Sequence, residues 1–245
     1  MFVVTRTKYA RRVVFTSDHP ILHVTVDVVV LTLRDARMCA LMIRRGGPPY
    51  KGRWALPGGF VEIDEDLETA ARRELAEETG VQDAEVRLEQ LATYGAPARD
   101  PRHRTVSVAW LAVLPVPIDL TAGSDASHAA WKPTDQLLSR GRLAFDHRRI
   151  LGDAVERVCA KLEYTNLATA FLEREFTIAA LREVYEVVWG QPLDAGNFHR
   201  KVTRTSGFVV STGKRRSAGR GRPASLFTAG PEEFLNPPLT RRSLG

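Results

Sequence analysis

Three glutamates are spaced so that they could act together. Glu74, Glu77 and Glu78 stand at positions i, i+3 and i+4, which places their side chains on one face if the segment is helical. Carboxylates this close repel one another, and a divalent cation held between their oxygens reverses that cost. The spacing therefore predicts a site for Mg²⁺ or Mn²⁺, ions that can assist the attack of water on a phosphoanhydride. The alternative is a solvated helix whose charges serve only solubility.

A helix is predicted to position these carboxylates. Apolar residues recur at steps of three and four between Asp66 and Thr79, as in an amphipathic helix, and Gly80 is expected to end it as a C-cap. The helix follows a loop that contains Gly58 and Gly59. Because glycine has no side chain, the loop can turn tightly and approach a phosphate closely.

The segment from Gly59 to Val81 resembles the complete signature of the Nudix hydrolases. The matching text is glycine, five residues, Glu65, seven residues, Arg-Glu-Leu, one residue, Glu-Glu, one residue and Gly-Val. The resemblance implies an α+β fold, a Nudix α/β/α sandwich with a mixed sheet. It also implies that Glu74, Glu77 and Glu78 bind the metal and that one of the last two serves as base. Arg73 and Glu65 would hold the geometry of loop and helix, completing the catalytic set.

Residues outside the signature are weaker candidates. Arg44 and Arg53 could contact a pyrophosphate together with Gly58 and Gly59, although ordinary solvated charge explains both arginines equally well. Trp54 is expected in the core, with base stacking as the alternative. A proline sixteen residues after the signature, Pro97, matches a position that in Nudix enzymes goes with ADP-ribose as substrate.

The positive charge of the chain is concentrated in one region. The whole chain carries +6, whereas residues 194–223 hold eight basic residues against Asp194, so the remainder sums to −1. A local basic patch indicates a partner. Helical periodicity in IAALREVYEVVWG is followed by a turn, a second short helix and two short strands around a Gly-rich basic stretch, which is the layout of a winged helix-turn-helix. A solubilising surface loop is the alternative.

The predicted DNA contacts fall on the second short helix and on the wing. They are Asn197, Arg200, Lys201, Arg204, Lys214, Arg215, Arg216, Arg220 and Arg222. Arginine suits phosphate and guanine contacts, and a slender cationic stretch can enter a minor groove.

The order of the two domains resembles the Nudix-related transcriptional regulators of NAD metabolism. The expected division is an extension over residues 1–22, a Nudix domain over 23–160, a winged helix over 161–229 and a flexible tail over 230–245. The resemblance implies a homodimeric repressor of NAD biosynthesis genes that binds palindromic double-stranded DNA and senses an ADP-ribose-like nucleotide. The intact signature keeps open the alternative of an active ADP-ribose pyrophosphatase that yields AMP and ribose 5-phosphate.

The composition of the chain argues against membrane, secreted and disulfide-rich classes of protein. The chain of 245 residues is 44% hydrophobic and 26% charged, as expected for a globular protein. No apolar run is long enough to cross a membrane, and the N-terminal text does not read as a secretory signal, so a cytoplasmic location is expected. Two cysteines are too few for a disulfide framework.

Overall fold

The computed structural model describes residues 2–4, 15–81, 86–115, 126–216 and 223–241. Two short strands, β1 (Phe2–Val4) and β2 (Phe15–Ser17), come first and pair with each other antiparallel. A seven-stranded mixed sheet follows. Its strands are β3 (His23–Arg34), β4 (Arg37–Arg45), β5 (Trp54–Ala55), β6 (Gly58–Phe60), β7 (Glu89–Tyr94), β8 (Thr105–Val113) and β9 (Ala126–Pro133).

Strand β3 lies at the centre of the sheet and is covered on both faces. It runs parallel to β8 and antiparallel to β4 and β6. Its β-branched residues pack alternately to the two sides, as the two-residue period of a strand requires. Val26, Val28 and Val30 contact the apolar cluster of helix α1 (Leu67–Thr79), whereas Val29 and Leu31 contact that of helix α3 (His147–Tyr164). The predicted sandwich with a mixed sheet is thereby confirmed.

Helix α1 has clear signals at both ends. The Asp66 carboxylate accepts a hydrogen bond from the Thr69 amide at 2.8 Å, and Gly80 adopts a left-handed conformation with φ of 76°. These are the usual N-cap and C-cap devices. A second, short helix, α2 (Thr134–Ser139), and strand β6 have no counterpart in the sequence-based expectation.

The C-terminal part has the predicted winged helix layout. After a 3-10 helix (Asn166–Phe171) come α4 (Ile178–Trp189), α5 (Ala195–Arg204) and a hairpin of β10 (Val209–Arg216) and β11 (Ala224–Ala229). The side chains of Thr177 and Asp194 accept hydrogen bonds from the backbone amides of Ala180 and Asn197 and cap the two helices. This hairpin is called the wing below.

Helix α3 connects the two domains. Its C-terminal half packs on α4, where the Trp189 indole donates to the Cys159 carbonyl at 3.2 Å and the Tyr185 hydroxyl donates to the Leu162 carbonyl at 3.0 Å. One apolar cluster runs from the sheet through α3 into α4 and α5. The boundary expected at residue 160 falls inside α3.

The tail differs from the expectation that residues 230–245 fray. The Leu235 amide donates to the Tyr164 carbonyl at 2.9 Å, and the Leu239 amide donates to the Glu163 carbonyl at 2.7 Å. Both leucines are buried. These two leucines thus hold the tail against the end of α3. In the sequence they are separated by prolines, so they form no helix or strand pattern that would predict their burial. No helix among the described residues is long and apolar enough to span a bilayer.

Candidate functional site

A cavity of about 650 Å³ opens beside the predicted signature. Its wall combines the start of β3, the glycine loop, carboxylates of α1 and arginines from distant parts of the chain. The lining residues used below are Asp27, Arg45, Gly58, Gly59, Phe60, Arg73, Glu74, Glu78, Arg99, Arg102, Phe145 and His147. Acidic and basic side chains therefore face the same space, which suits a metal ion and phosphates together.

Arg73 holds the loop to α1. Its guanidinium donates to both Glu65 oxygens at 2.9 and 2.6 Å, to the Phe60 carbonyl at 3.1 Å and to Glu74 at 2.8 Å. The hydrogen bonds with Glu65 raise the pKa of Arg73 still further above its ordinary range. Glu65 also accepts from the Glu62 amide at 2.7 Å. These hydrogen bonds tie the glycine loop to α1 beside the metal-binding candidates.

Two of the three candidate metal ligands line the cavity. Burial raises the pKa of Glu78 to about 8, an effect that the Gly58 amide opposes by donating to its carboxylate at 2.9 Å. Burial also raises the pKa of Glu74, against the influence of Arg73. The Glu77 side chain is 60% exposed and lies 3.5 Å from the Arg73 guanidinium. Within the described ranges, no three acidic, histidine or cysteine side chains converge closely enough to hold an ion as they lie here.

The donor chemistry nevertheless fits a hard divalent cation. Glu74 and Glu78 are half-buried carboxylates on one cavity wall, and withdrawing a carboxylate from water is costly unless a cation or donor compensates it. Their oxygens are the ligands that Mg²⁺ and Mn²⁺ accept. Glu77 lies one turn of α1 from Glu74 on the solvent side, so the structure brings two of the three predicted ligands together.

The closeness of Gly59 to Glu74 gives a sharp prediction. A β-carbon at residue 59 would lie 2.2 Å from a Glu74 oxygen, so we expect Gly59→Ala to displace that carboxylate and to weaken Mn²⁺ binding at least tenfold, measured by calorimetry. Gly152→Ala is the matched control, because its β-carbon meets no atom closer than 3.8 Å. Unchanged Mn²⁺ affinity in Gly59→Ala would show that Glu74 is not a ligand.

The arginines of the cavity are not those chosen from the sequence. Arg44 donates to the Gly52 carbonyl at 3.1 Å, and the Arg53 guanidinium lies 5.0 Å from the centre of the Tyr50 ring. Neither lines the cavity, whereas Arg45 does. Neighbouring residues of β4 point to opposite faces, so choosing Arg44 placed the positive charge on the wrong side of the strand.

Two further arginines come from the loop between β7 and β8. Arg99 and Arg102 line the cavity and follow Pro97, which is exposed. The Arg102 guanidinium lies 5.8 Å from the Phe60 ring centre and 5.7 Å from that of Phe145. In the sequence this loop is only a polar connection between two predicted strands. Trp54 does not line the cavity, and it packs against the main apolar cluster, with the Lys132 ammonium 4.8 Å from its ring centre.

A buried polar network forms the floor of the cavity. The Asp27 carboxylate accepts from Ser107 at 2.5 Å, from Arg99 at 3.1 Å and from Nε2 of His147 at 3.2 Å. Nδ1 of His147 accepts from the Leu56 amide at 2.9 Å, so the proton of the neutral ring is assigned to Nε2. Burial opposes ionisation of Asp27, but His147, Arg99 and Ser107 lower its pKa to about 2.

The Asp27 network predicts a dependence of stability on pH. Because its folded pKa of about 2 lies below the ordinary value of 3.8, ionised Asp27 stabilises the fold above pH 4 and loses that contribution as the pH falls towards 2. We expect Asp27→Asn to lower the free energy of unfolding by about 2–4 kcal/mol at neutral pH, since Arg99 loses a buried partner.

Urea unfolding at a series of pH values measures this effect. The difference between the native chain and Asp27→Asn is expected to shrink by about 2 kcal/mol between pH 4 and 2. Asp18→Asn, at an exposed position, controls for the loss of one negative charge. A difference that does not change with pH would contradict the low pKa of Asp27.

Helix α5 presents a basic face to solvent. Phe198 and Val202 are fully buried, and this anchors the helix with Arg200 and Arg204 exposed. The Arg200 guanidinium donates to the Asn197 side-chain oxygen at 2.9 Å. The other predicted contact on this helix, Lys201, is half-buried.

The wing carries the other predicted DNA contacts. Lys214, Arg215 and Arg216 are exposed at the end of β10, whereas Arg220 and Arg222 lie outside the described residues. Lys214 pairs with Glu175 at 2.7 Å and Arg216 with Glu173 at 3.7 Å. The basic residues of α5 and of the wing thus belong to one small domain, joined to the cavity through α3.

Comparison with known proteins matches both parts of the chain. Residues 21–153 match the model of the NUDIX domain, and residues 168–229 match that of the NrtR DNA-binding winged helix domain. The ADPR responsive transcriptional repressor NtrR of Acinetobacter baylyi is 35% identical over 213 residues, covering 86% of this chain and 83% of that protein.

Two further matches concern the two functions considered from the sequence, DNA binding and ADP-ribose hydrolysis. The crystal structure of Shewanella oneidensis NrtR complexed with a 27mer DNA has a TM-score of 0.71 at 34% identity, covering 85% of this chain and 94% of that one. The ADP-ribose pyrophosphatase of Methanocaldococcus jannaschii is 39% identical over 132 residues, covering 54% of this chain and 73% of that protein.

Proposed function

This chain belongs to the Nudix family and carries the winged helix domain of the NrtR regulators, and we propose from this that it is a DNA-binding transcriptional repressor. Its proposed targets are genes of NAD biosynthesis or salvage, and its proposed effector is ADP-ribose or a related nucleotide. Such a regulator would work in the cytoplasm. Support comes from the A. baylyi relative, whose name describes an ADPR responsive repressor.

The observation that carries the proposal is the pairing of two sites in one chain. One is a cavity lined by arginines and carboxylates, and the other is a winged helix whose α5 exposes Arg200 and Arg204. Arg45 and Arg102 suit a diphosphate, because a guanidinium group can bind phosphate oxygens through charge-assisted hydrogen bonds. A cavity of about 650 Å³ falls within the range of small-molecule sites.

The cavity would hold Mg²⁺ or Mn²⁺ through Glu74 and Glu78, with Glu77 as a third ligand on the solvent side. When bound, the ion would neutralise phosphate charge and polarise a phosphoryl oxygen. Arg73 would keep Glu74 in place, and the Gly58 amide would orient Glu78. The arginines on the other wall would orient the phosphates from the opposite side.

Effector binding and DNA binding would be linked energetically. A ligand that favours one arrangement of the domains changes DNA affinity by its difference in affinity for the two states. Helix α3 would transmit this change between the cavity and the winged helix. His147 at its start lines the cavity, and the Cys159 carbonyl near its end accepts a hydrogen bond from Trp189 of α4.

A homodimer is part of the proposal. It would place two α5 helices about 34 Å apart, one turn of DNA, and would match a palindromic operator.

DNA binding by the purified chain tests the proposal. We expect a sequence-preferring gel shift with DNA from the chain's own gene neighbourhood, weakening steeply with salt because bound phosphates release counterions. Absence of any salt-sensitive shift would refute the repressor function. The same protein bound to a matched duplex with a scrambled promoter sequence measures the specific part of the affinity.

A second function, ADP-ribose pyrophosphatase, is supported by the complete set of signature glutamates and by the M. jannaschii relative. In that reaction water attacks a phosphorus of the diphosphate, with Glu77 or Glu78 taking its proton, and AMP and ribose 5-phosphate are released. Incubating the chain with ADP-ribose and Mg²⁺ or Mn²⁺ over a range of pH, and finding no AMP, would exclude this activity.

A further inference from the structure

The register of the wing separates consecutive basic residues of β10 onto two faces. In an antiparallel ladder, directly opposed residues point to the same side, and alternate residues of one strand share a face. Arg215 opposes Ser225, which lies two residues before Phe227. Phe227 packs against the apolar cluster that also contains Phe198 of α5. Arg215 therefore extends the face of the wing on which Phe227 packs against this cluster. Of its two neighbours in β10, Arg216 lies on the opposite face, and Lys214 lies in a register irregularity of the ladder.

Those two neighbours already have acidic partners. Nζ of Lys214 lies 2.7 Å from Glu175, and the Arg216 guanidinium lies 3.7 Å from Glu173. Both glutamates belong to the segment that leads into α4. Exposed ion pairs of this kind are weak, but the carboxylates also repel any phosphate that approaches them. These two basic residues and their partners are therefore nearly neutral together.

Arg215 has a different environment. Its side chain is exposed, and it forms no ion pair with another residue in the described part of the chain. The positive charge of this stretch of β10 that no carboxylate offsets therefore lies on Arg215, because Lys214 and Arg216 are paired with Glu175 and Glu173.

We propose that the wing contacts a DNA phosphate through Arg215, and that Glu175 and Glu173 act as positioning residues that hold Lys214 and Arg216 in ion pairs. This inference rests on the proposed DNA-binding function. It divides the basic residues of the wing into one phosphate contact and two residues that shape the hairpin.

The salt dependence of DNA binding tests this division. Dissociation constants of the full chain and of Arg215→Ala, Lys214→Ala and Arg216→Ala are measured by fluorescence anisotropy on a labelled duplex of the chain's own promoter over a range of NaCl. Each phosphate contact contributes about 0.9 to the slope of log affinity against log salt. We expect Arg215→Ala to bind several-fold more weakly with a slope shallower by about 0.9.

Lys214→Ala and Arg216→Ala are expected to keep the slope of the native chain, and they serve as charge-matched controls. A loss of slope in either that equals the loss in Arg215→Ala would overturn the inference, as would an unchanged slope in Arg215→Ala. If the native chain shows no salt-dependent binding, the proposed DNA-binding function itself fails, and this inference fails with it.

The positioning role of Glu175 has its own readout. Glu175→Gln frees Lys214 and removes a carboxylate near the wing, so we expect a steeper slope, by up to about 0.9. Adding Lys214→Ala to Glu175→Gln is expected to restore the slope of the native chain. An unchanged or shallower slope in Glu175→Gln would overturn the positioning role.

Discussion

Glu78→Gln is expected to abolish saturable binding of Mn²⁺ while leaving the affinity of the chain for DNA unchanged. Glu78 is a half-buried carboxylate on the cavity wall, and glutamine keeps an oxygen that can accept from the Gly58 amide. The substitution therefore removes the group that can ionise to bind the cation and keeps the hydrogen bond. If the pyrophosphatase activity exists, we expect it to fall by about 10²–10⁴-fold, as for loss of a general base or metal ligand.

Calorimetric titration with Mn²⁺ and anisotropy on promoter DNA measure the two properties of Glu78→Gln side by side. Glu68→Gln is the matched control, since Glu68 lies on the same helix and pairs with Arg72 away from the cavity. Glu77→Gln tests whether the third, exposed carboxylate also contributes to Mn²⁺ binding. Equal loss of DNA binding in Glu78→Gln would mean that the two functions are assigned to the wrong domains.

The second large effect is expected from α5. Arg200→Ala removes an exposed guanidinium in the middle of α5. As the second helix of a helix-turn-helix, α5 would be the recognition helix and lie in the major groove, so we expect DNA binding to weaken by about 1–3 kcal/mol and sequence preference to relax. Arg204→Ala, in the last turn, is expected to weaken binding more evenly across sequences. Neither change touches the cavity, so affinity for ADP-ribose is expected to remain as in the native chain.

Competition anisotropy with promoter and scrambled duplexes distinguishes these two results. Arg34→Ala removes one exposed positive charge from the hairpin between β3 and β4 and controls for net charge. If Arg200→Ala binds DNA as the native chain does, the recognition helix lies elsewhere.

The parts of this molecule that the sequence predicts well are those specified by local patterns. Helix α1 has apolar residues at helical spacing and ends at Gly80, so its extent and its row of glutamates follow from neighbours in the chain. The winged helix is also predicted by local patterns, because the N-cap Thr177 and the left-handed Gly190 mark the two ends of α4. Both domains could therefore be predicted without coordinates.

The wall of the cavity opposite the glutamates could not be predicted in the same way. Asp27 and Arg99 are 72 residues apart and meet only because β3 and β8 are neighbours in the sheet. His147 reaches them from the start of α3, and nothing in its local sequence separates it from a solvated histidine. The choice of Arg44 instead of Arg45 failed because two adjacent arginines give no sign of which one faces inwards.

The packing of the C-terminal tail could not be predicted from local sequence either. Leu235 and Leu239 are two apolar residues among prolines and charges, and their burial depends on a surface that the end of α3 provides. Composition alone favours a frayed end for such a segment.

Titration of the DNA-bound chain with ADP-ribose measures the coupling between the cavity and the winged helix. We expect ADP-ribose to change the dissociation constant for promoter DNA, and DNA to change the dissociation constant for ADP-ribose by the same factor, as linkage requires. AMP and NAD in place of ADP-ribose establish which nucleotide acts. Saturable binding of ADP-ribose with no change in DNA affinity would contradict the coupling of the two sites, and absence of ADP-ribose binding would contradict the assignment of the cavity.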